Sequence, residues 1–191
     1  SQPLRLVKYP LPEPAVNEVR IKVAVCGVCH TELDEIEGRT PPPRLPVILG
    51  HQAVGWIDKV GAAVSTRQLG ERVGVAWIYS ACGKCRWCQQ GLENLCPEFQ
   101  ATGRDADGGY AEYMVVPADF THPLPETFSD AEAAPLLCAG AIGYRSLSLA
   151  NLDSGGALGL TGFGASAHLV LKLVRHQYPD LPVYVLSLIH I

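Results

Sequence analysis

The chain has 191 residues, 48% hydrophobic and 18% charged, with a formal net charge of −4. That balance describes a globular chain with a buried core. It carries no basic stripe for nucleic acid or an anionic membrane surface. The longest apolar run, around Tyr184 to Ile191, is far short of the ~20 residues that a spanning helix needs.

From Leu4 to about Phe120 the pattern is mostly β. Glu18–Val28 alternates and is β-branched, and Val47–Val60, Arg72–Trp77 and Gly109–Phe120 read as further strands between Gly and Pro punctuation. The run Pro41-Pro42-Pro43 marks an exposed loop and Asp107-Gly108-Gly109 a turn. Ser129-Asp130-Ala131-Glu132 is a capping box, so an Ala- and Leu-rich helix starts there, with Cys138 in it or close to it. After Asn151 the pattern changes again. Gly156–Phe163 is a short buried strand, Ala165–Tyr178 has helical periodicity and Pro182–Ser187 is a second apolar strand. This β-α-β unit is the opening of a parallel sheet. The expected division is a β-rich domain over residues 1–150, with a metal lobe at 80–97, and an α/β domain over 151–191.

The cysteines are Cys26, Cys29, Cys82, Cys85, Cys88, Cys96 and Cys138. An odd number in C-x-x-C steps is a poor disulfide framework and a good metal framework for a reducing compartment, so the cytoplasm is expected. Cys82, Cys85, Cys88 and Cys96 can close a tetrahedral thiolate shell around Zn²⁺ with no position left for chemistry, which makes the site a staple. The rival is an iron–sulfur cluster. Its two C-x-x-C steps fit, but that pattern places its last cysteine after about three residues, where this chain has seven between Cys88 and Cys96. Cys29, His51 and Cys138 are scattered. Two thiolates and one imidazole would leave the fourth zinc position open, as catalysis requires.

Read in order, CGVCHTEL, GHQAVG, the quartet at Cys82 to Cys96, GERVGV, DGGYAEYMVVPADF, PLLCAG and GFGASA resemble the zinc-dependent alcohol dehydrogenases of the medium-chain superfamily. The resemblance runs from Leu4 to about Val185. It implies a GroES-like β-rich catalytic domain followed by the start of a doubly wound Rossmann domain. It also implies hydride transfer between a small-molecule alcohol, aldehyde or ketone and NAD or NADP, the alternatives being another medium-chain enzyme such as a polyol or formaldehyde dehydrogenase, or a metal-binding or electron-transfer module without dehydrogenase chemistry. Two zinc ions per subunit are implied, one at Cys29, His51 and Cys138 and one at the quartet, in a homo-oligomer. Thr31 takes the hydroxyl position of the family's proton relay, Asp34 its outer end, and His30 a position that contacts the cofactor pyrophosphate. Cys26 matches no ligand position and reads as packing.

Four residues depart from the commonest family pattern. Glu32 stands where Asp is usual behind the zinc-bound imidazole, and a carboxylate there orients the ring. Gln52 replaces a Glu and removes one negative charge. Asp34 replaces a frequent His, and Ile142 replaces a common Thr near the nicotinamide. At the cofactor end, Gly162, Phe163, Gly164, Ala165 and Ser166, followed by Ala167, fit G-x-G-x-x-G/A after a strand and before a helix, the turn that cradles a pyrophosphate. An acid about 20 residues on would bind the adenosine ribose. Ser187 stands there instead, so NAD and NADP stay equally open. The closing LSLIHI resembles translated adapter read-through and Ser1 is not a native start, so the chain is expected to be part of a longer enzyme, inactive by itself.

Overall fold

The computed structural model describes residues 4–152 and 156–187, and its contacts divide the chain into two units, Ser1–Leu137 and Cys138–Ile191. The strands of the first unit are β1 (Glu18–Cys26), β2 (Ala53–Val60), β3 (Arg72–Val75), β4 (Ile78–Ser80), β5 (Gln100–Ala101), β6 (Tyr113–Pro117) and β7 (Thr121–Pro123). Five of them make one antiparallel sheet in the order β6-β1-β2-β3-β7, and β4 pairs with β5 apart from it. Alternation along β1 sends Val19 and Ile21 to one face, where Ala53, Ile57, Val73, Val75, Met114 and Val116 join them in a dry core. Arg20 points to the other face, 8% exposed, and forks onto Asp58 at 2.9 and 3.0 Å. On the same sheet Val54 packs with Ala133, Ala134 and Leu137.

Strands β2 and β6 start later than the sequence suggests, for one reason. Ile48, Leu49 and Gly50 give their carbonyls to the amides of Gly108 (2.7 Å), Tyr110 (2.9 Å) and Gly109 (2.8 Å). The segments before β2 and before β6 thus bond to each other instead of extending the sheet. Only glycine fits this crossing. Gly50 has φ +99°, and a Cβ on Gly108 would lie 2.1 Å from the Gly50 oxygen. The turn expected at Asp107-Gly108-Gly109 is therefore a clamp that holds the backbone entering His51.

A helix absent from the sequence reading, α1 (His30–Glu37), follows β1 and ends on Gly38 in the left-handed conformation. The Ser129 cap holds. Glu132 donates its amide to Ser129 Oγ at 3.4 Å and its carboxylate receives the Ser129 amide at 2.9 Å. The helix it starts, α2 (Asp130–Ala133), is one turn long, because Pro135 has no amide to donate. A 3₁₀ turn follows over Ala134–Leu137. Cys138 (φ −129°, ψ −76°) breaks the path and starts α3 (Ala139–Ala150).

The second unit consists of α3, β8 (Leu158–Thr161), α4 (Ala165–Gln177) and β9 (Val183–Leu186). The two strands are parallel, Leu158 opposite Val183 and Thr161 opposite Leu186, as a β-α-β unit requires. Leu147, Leu160, Val170 and Val174 form its core, which draws α3 into this unit and sets the division of the chain ahead of the expected 150/151 boundary. Among the described residues no helix is long and apolar enough to cross a membrane.

Candidate metal centres

The four sulfur atoms of Cys82, Cys85, Cys88 and Cys96 all lie within 4.8 Å of one another. The Cys82–Cys88 and Cys85–Cys88 separations are 3.9 and 3.6 Å. Four thiolates at zinc bonding distance sit about 3.8 Å apart along tetrahedral edges, so the quartet is sized for one ion. Several irons bridged by sulfide would need a wider cage. Backbone amides converge on the sulfurs, from Cys85 to Cys82 and from Cys82 and Glu98 to Cys96, each at 3.4 Å. The amides of Lys84 and Cys85 lower the Cys82 thiol to about 7. Desolvation, with the Cys85 thiol beside it, pushes Cys88 up to about 12. Four thiols this close cannot all ionise unless a cation sits between them.

The second group begins at α1. Cys29 is its N-cap, and Glu32 Oε2 accepts the Cys29 amide at 2.7 Å. Glu32 Oε1 stands 2.6 Å from Nδ1 of His51, and the two side chains are 2% and 1% exposed. The glycine clamp fixes the backbone before His51, and the Trp77 ring meets its ring almost perpendicularly at a centroid distance of 4.8 Å. Cys138 directly follows Leu137, which is buried against β2 and β3. The ligating atoms of Cys29, His51 and Cys138 all lie within 4.8 Å of one another. Two sulfurs and one nitrogen at this spacing suit a zinc ion with one coordination position left over.

The neighbouring candidates fall as follows. Thr31 Oγ1 is 3.5 Å from the Cys29 sulfur. His30 is largely exposed, with Nε2 3.7 Å from Asp34 Oδ1. Asp34 is clamped at 2.5 Å by the Arg39 guanidinium. Gln52 is buried beside Gly27, whose amide bonds the Gln52 carbonyl at 3.0 Å. Cys26 is not in either group. Burial raises its thiol to about 11, and it packs beneath Gly50 and Gly109, as a packing residue does. Ile142 is exposed on α3. Sequence reasoning missed Trp77, Glu35 and Tyr110. The last two carry buried polar atoms close to Glu32, and only the i, i+3 spacing of Glu32 and Glu35 could have hinted at one of them.

In the second unit, β8 runs into Gly162 (φ +83°) and Phe163, and Gly164 caps α4, which opens with Ala165 and Ser166. The Gly162 amide bonds the Leu186 carbonyl at 2.7 Å and ties the turn to β9. Among the described residues, a Cβ on Gly162 or Gly164 would meet nothing within 4 Å, so a phosphate group has room to approach this backbone.

A clamped antiparallel sheet, a four-thiolate staple and a Cys-His-Cys group define a zinc-site domain of the kind that opens medium-chain dehydrogenases. The family profile described as "Alcohol dehydrogenase GroES-like domain" matches residues 15–126. A probable alcohol dehydrogenase, AdhA, of Mycobacterium tuberculosis is 50% identical over 186 residues, 95% of this chain and 54% of that protein. An alcohol dehydrogenase of Geobacillus stearothermophilus is 39% identical, over 92% of this chain and 52% of its own length. Among solved structures, a cinnamyl alcohol dehydrogenase of Sorghum bicolor superposes with a TM-score of 0.85 at 33% identity, covering 94% of this chain and 53% of that one. A cobalt- and zinc-bound thermostable alcohol dehydrogenase of Pyrobaculum aerophilum gives 0.88 at 26% identity, over 97% and 56%. The chain belongs to the alcohol dehydrogenase GroES-like domain family, in the zinc-type medium-chain group. It spans about half the length of the curated relatives it matches.

Proposed function

We propose that this chain carries the zinc-binding catalytic portion of an NAD(P)-dependent alcohol dehydrogenase. The observation that carries the reading is the approach of the Cys29, His51 and Cys138 donor atoms to within 4.8 Å, with a buried carboxylate on the far side of the imidazole. Glu32 holds the Nδ1 side of the ring, so Nε2 faces the thiolates and the ring keeps one tautomer and orientation. A zinc ion held there would polarise the oxygen of an alcohol or carbonyl substrate. Thr31, beside Cys29, is the hydroxyl that receives the alcohol proton, and Asp34 at the outer end of α1 is its exit to solvent. Hydride transfer belongs to the nicotinamide. Gly162, Phe163, Gly164, Ala165 and Ser166 are the segment assigned to its pyrophosphate, with His30 as a further phosphate contact.

The quartet binds the second zinc, giving two per subunit, as a staple. A small alcohol, aldehyde or ketone as substrate, a homo-oligomeric enzyme and a cytoplasmic location complete the reading. A dinucleotide-binding sheet has about six strands, and β8 and β9 are two, so turnover is expected of a chain as long as the relatives and not of these 191 residues alone. The test is metal content together with cofactor reduction. A relative-length chain bearing these residues should hold two zinc ions and reduce NAD or NADP with a primary alcohol. Cys138→Ser should lose one zinc and the activity together. Full metal content and full activity in that variant would overturn the assignment.

A further inference from the structure

Glu32, which stands against the His51 ring, has a second carboxylate beside it on α1. On α1, Glu32 and Glu35 are three residues apart, so both carboxylates lie on one helix face. Both are buried, 2% and 6% exposed. Glu32 is committed to the Cys29 amide and to the His51 ring. Among the described residues, the buried Oε1 atoms of Glu35 and Glu32 and the Tyr110 hydroxyl have no hydrogen-bond partner. The charged and titratable groups facing Glu35 are Glu32 and Asp34 on its own helix, Arg104 and Asp105 from the loop after β5, and Tyr110. The one cation among them, Arg104, bonds Asp105 at 3.1 Å, and Asp105 also receives the Ala101 amide. Two carboxylates on one buried face, with the nearest cation already engaged, cannot both ionise without a large cost.

We propose that Glu35 is a positioning residue, a buried carboxylic acid that keeps its proton at mildly acidic pH, where ordinary carboxyl groups are ionised, and whose neutral form leaves Glu32 as the single negative charge against the His51 imidazole. Burial first, and the Glu32 charge second, raise the Glu35 carboxyl from 4.5 to about 7, in agreement with that geometry. Release of the Glu35 proton to solvent would put a second negative charge beside Glu32 on the same helix face. The carboxylates would repel, and α1, which carries Cys29 and Thr31, would bear the strain.

The sign of the linkage is fixed by the direction of the shift. The folded chain holds this proton more tightly than the unfolded chain, so its stabilisation is complete below 4.5 and drains away as pH rises to about 7. The direct test is infrared spectroscopy of the metal-loaded protein. Its spectrum at about pH 6, where ordinary carboxyl groups are ionised, should contain the carbonyl stretch of one protonated carboxyl, lost by about pH 9 and missing in Glu35→Gln. No such band at the lower pH overturns the proposal, and that measurement needs no variant. In ¹⁵N-histidine-labelled protein the His51 ring signals should move through the same midpoint. They should stay fixed in Glu35→Gln and move again in Glu35→Asp. His51 signals that ignore pH in the unsubstituted protein, or that move equally in Glu35→Gln, overturn it as well. The histidine readout rests on the metal assignment made above. If that assignment is wrong, the His51 ring will not respond to added zinc at all, whereas a failure of the present proposal leaves the zinc response intact and removes only the pH response.

Discussion

Glu32→Ala removes two contacts at once, the cap on the Cys29 amide at 2.7 Å and the contact with His51 Nδ1 at 2.6 Å. Loss of a helix cap costs ~1 kcal/mol. A buried imidazole N–H left without an acceptor costs roughly 1–3 kcal/mol. Together they amount to roughly 2–4 kcal/mol, which in a domain of this size lowers the melting temperature by roughly 4–16 °C. The same carboxylate orients the imidazole toward the metal, and losing such a support weakens metal binding by about 10–100-fold. Calorimetry of the metal-free protein reads the first effect, and competition against a chelator reads the second. Glu32→Gln separates them. Its single amide oxygen can accept from one of the two N–H groups while its NH2 faces the other, so part of the stability returns while the lost charge keeps metal binding weak. If Glu32→Ala binds both metal ions as tightly as the unsubstituted chain, or if Glu32→Gln is as unstable as Glu32→Ala, Glu32 does not support the ring in the way described.

Further expectations concern the clamp, the staple and the thiols. Gly50→Ala puts a Cβ 2.6 Å from Tyr110 Cδ1 and 2.8 Å from the Cys26 sulfur at φ +99°, so urea unfolding should show a loss above ~2 kcal/mol, and one below ~0.5 kcal/mol would contradict the clamp. Cys88→Ser should remove one metal equivalent and open residues 80–97 to proteases while the Cys29-His51-Cys138 group keeps its ion. Loss of both ions would mean the two sites are not independent. In metal-free protein, alkylation near pH ~8 should label Cys82, whose thiol ionises at about 7, well before Cys26 at about 11. Mass spectrometry reads the order, and the reverse order would refute those environments.

The antiparallel strands were legible because valine and isoleucine alternate with polar residues along them, and the quartet because its spacing is its chemistry. Helix α1 was not, since its buried face carries Glu32 and Glu35, and a reading by apolar periodicity is blind to buried carboxylates. The signal it did carry is a capping-box spacing from Cys29 to Glu32 and a closing Gly38, with cysteine where serine or threonine is usual. The β4–β5 pair has three and two residues, too short for any periodicity, and is set by closure of the metal lobe between them. The ends of β2 and β6 were overextended because the residues before them are apolar or small, and only the fold reveals that their backbone groups bond to each other. At Glu32 the departure from aspartate left the contact with His51 open, and the longer side chain spans it at 2.6 Å.

X-ray absorption at the zinc edge, on zinc-loaded protein compared with Cys138→Ser, tests the central claim most directly. The account predicts two ions per chain, one surrounded by four sulfurs and one by two sulfurs, one nitrogen and a lighter solvent atom, with only the second lost on substitution. A single ion per chain, or sulfur-only shells unchanged by Cys138→Ser, would contradict it.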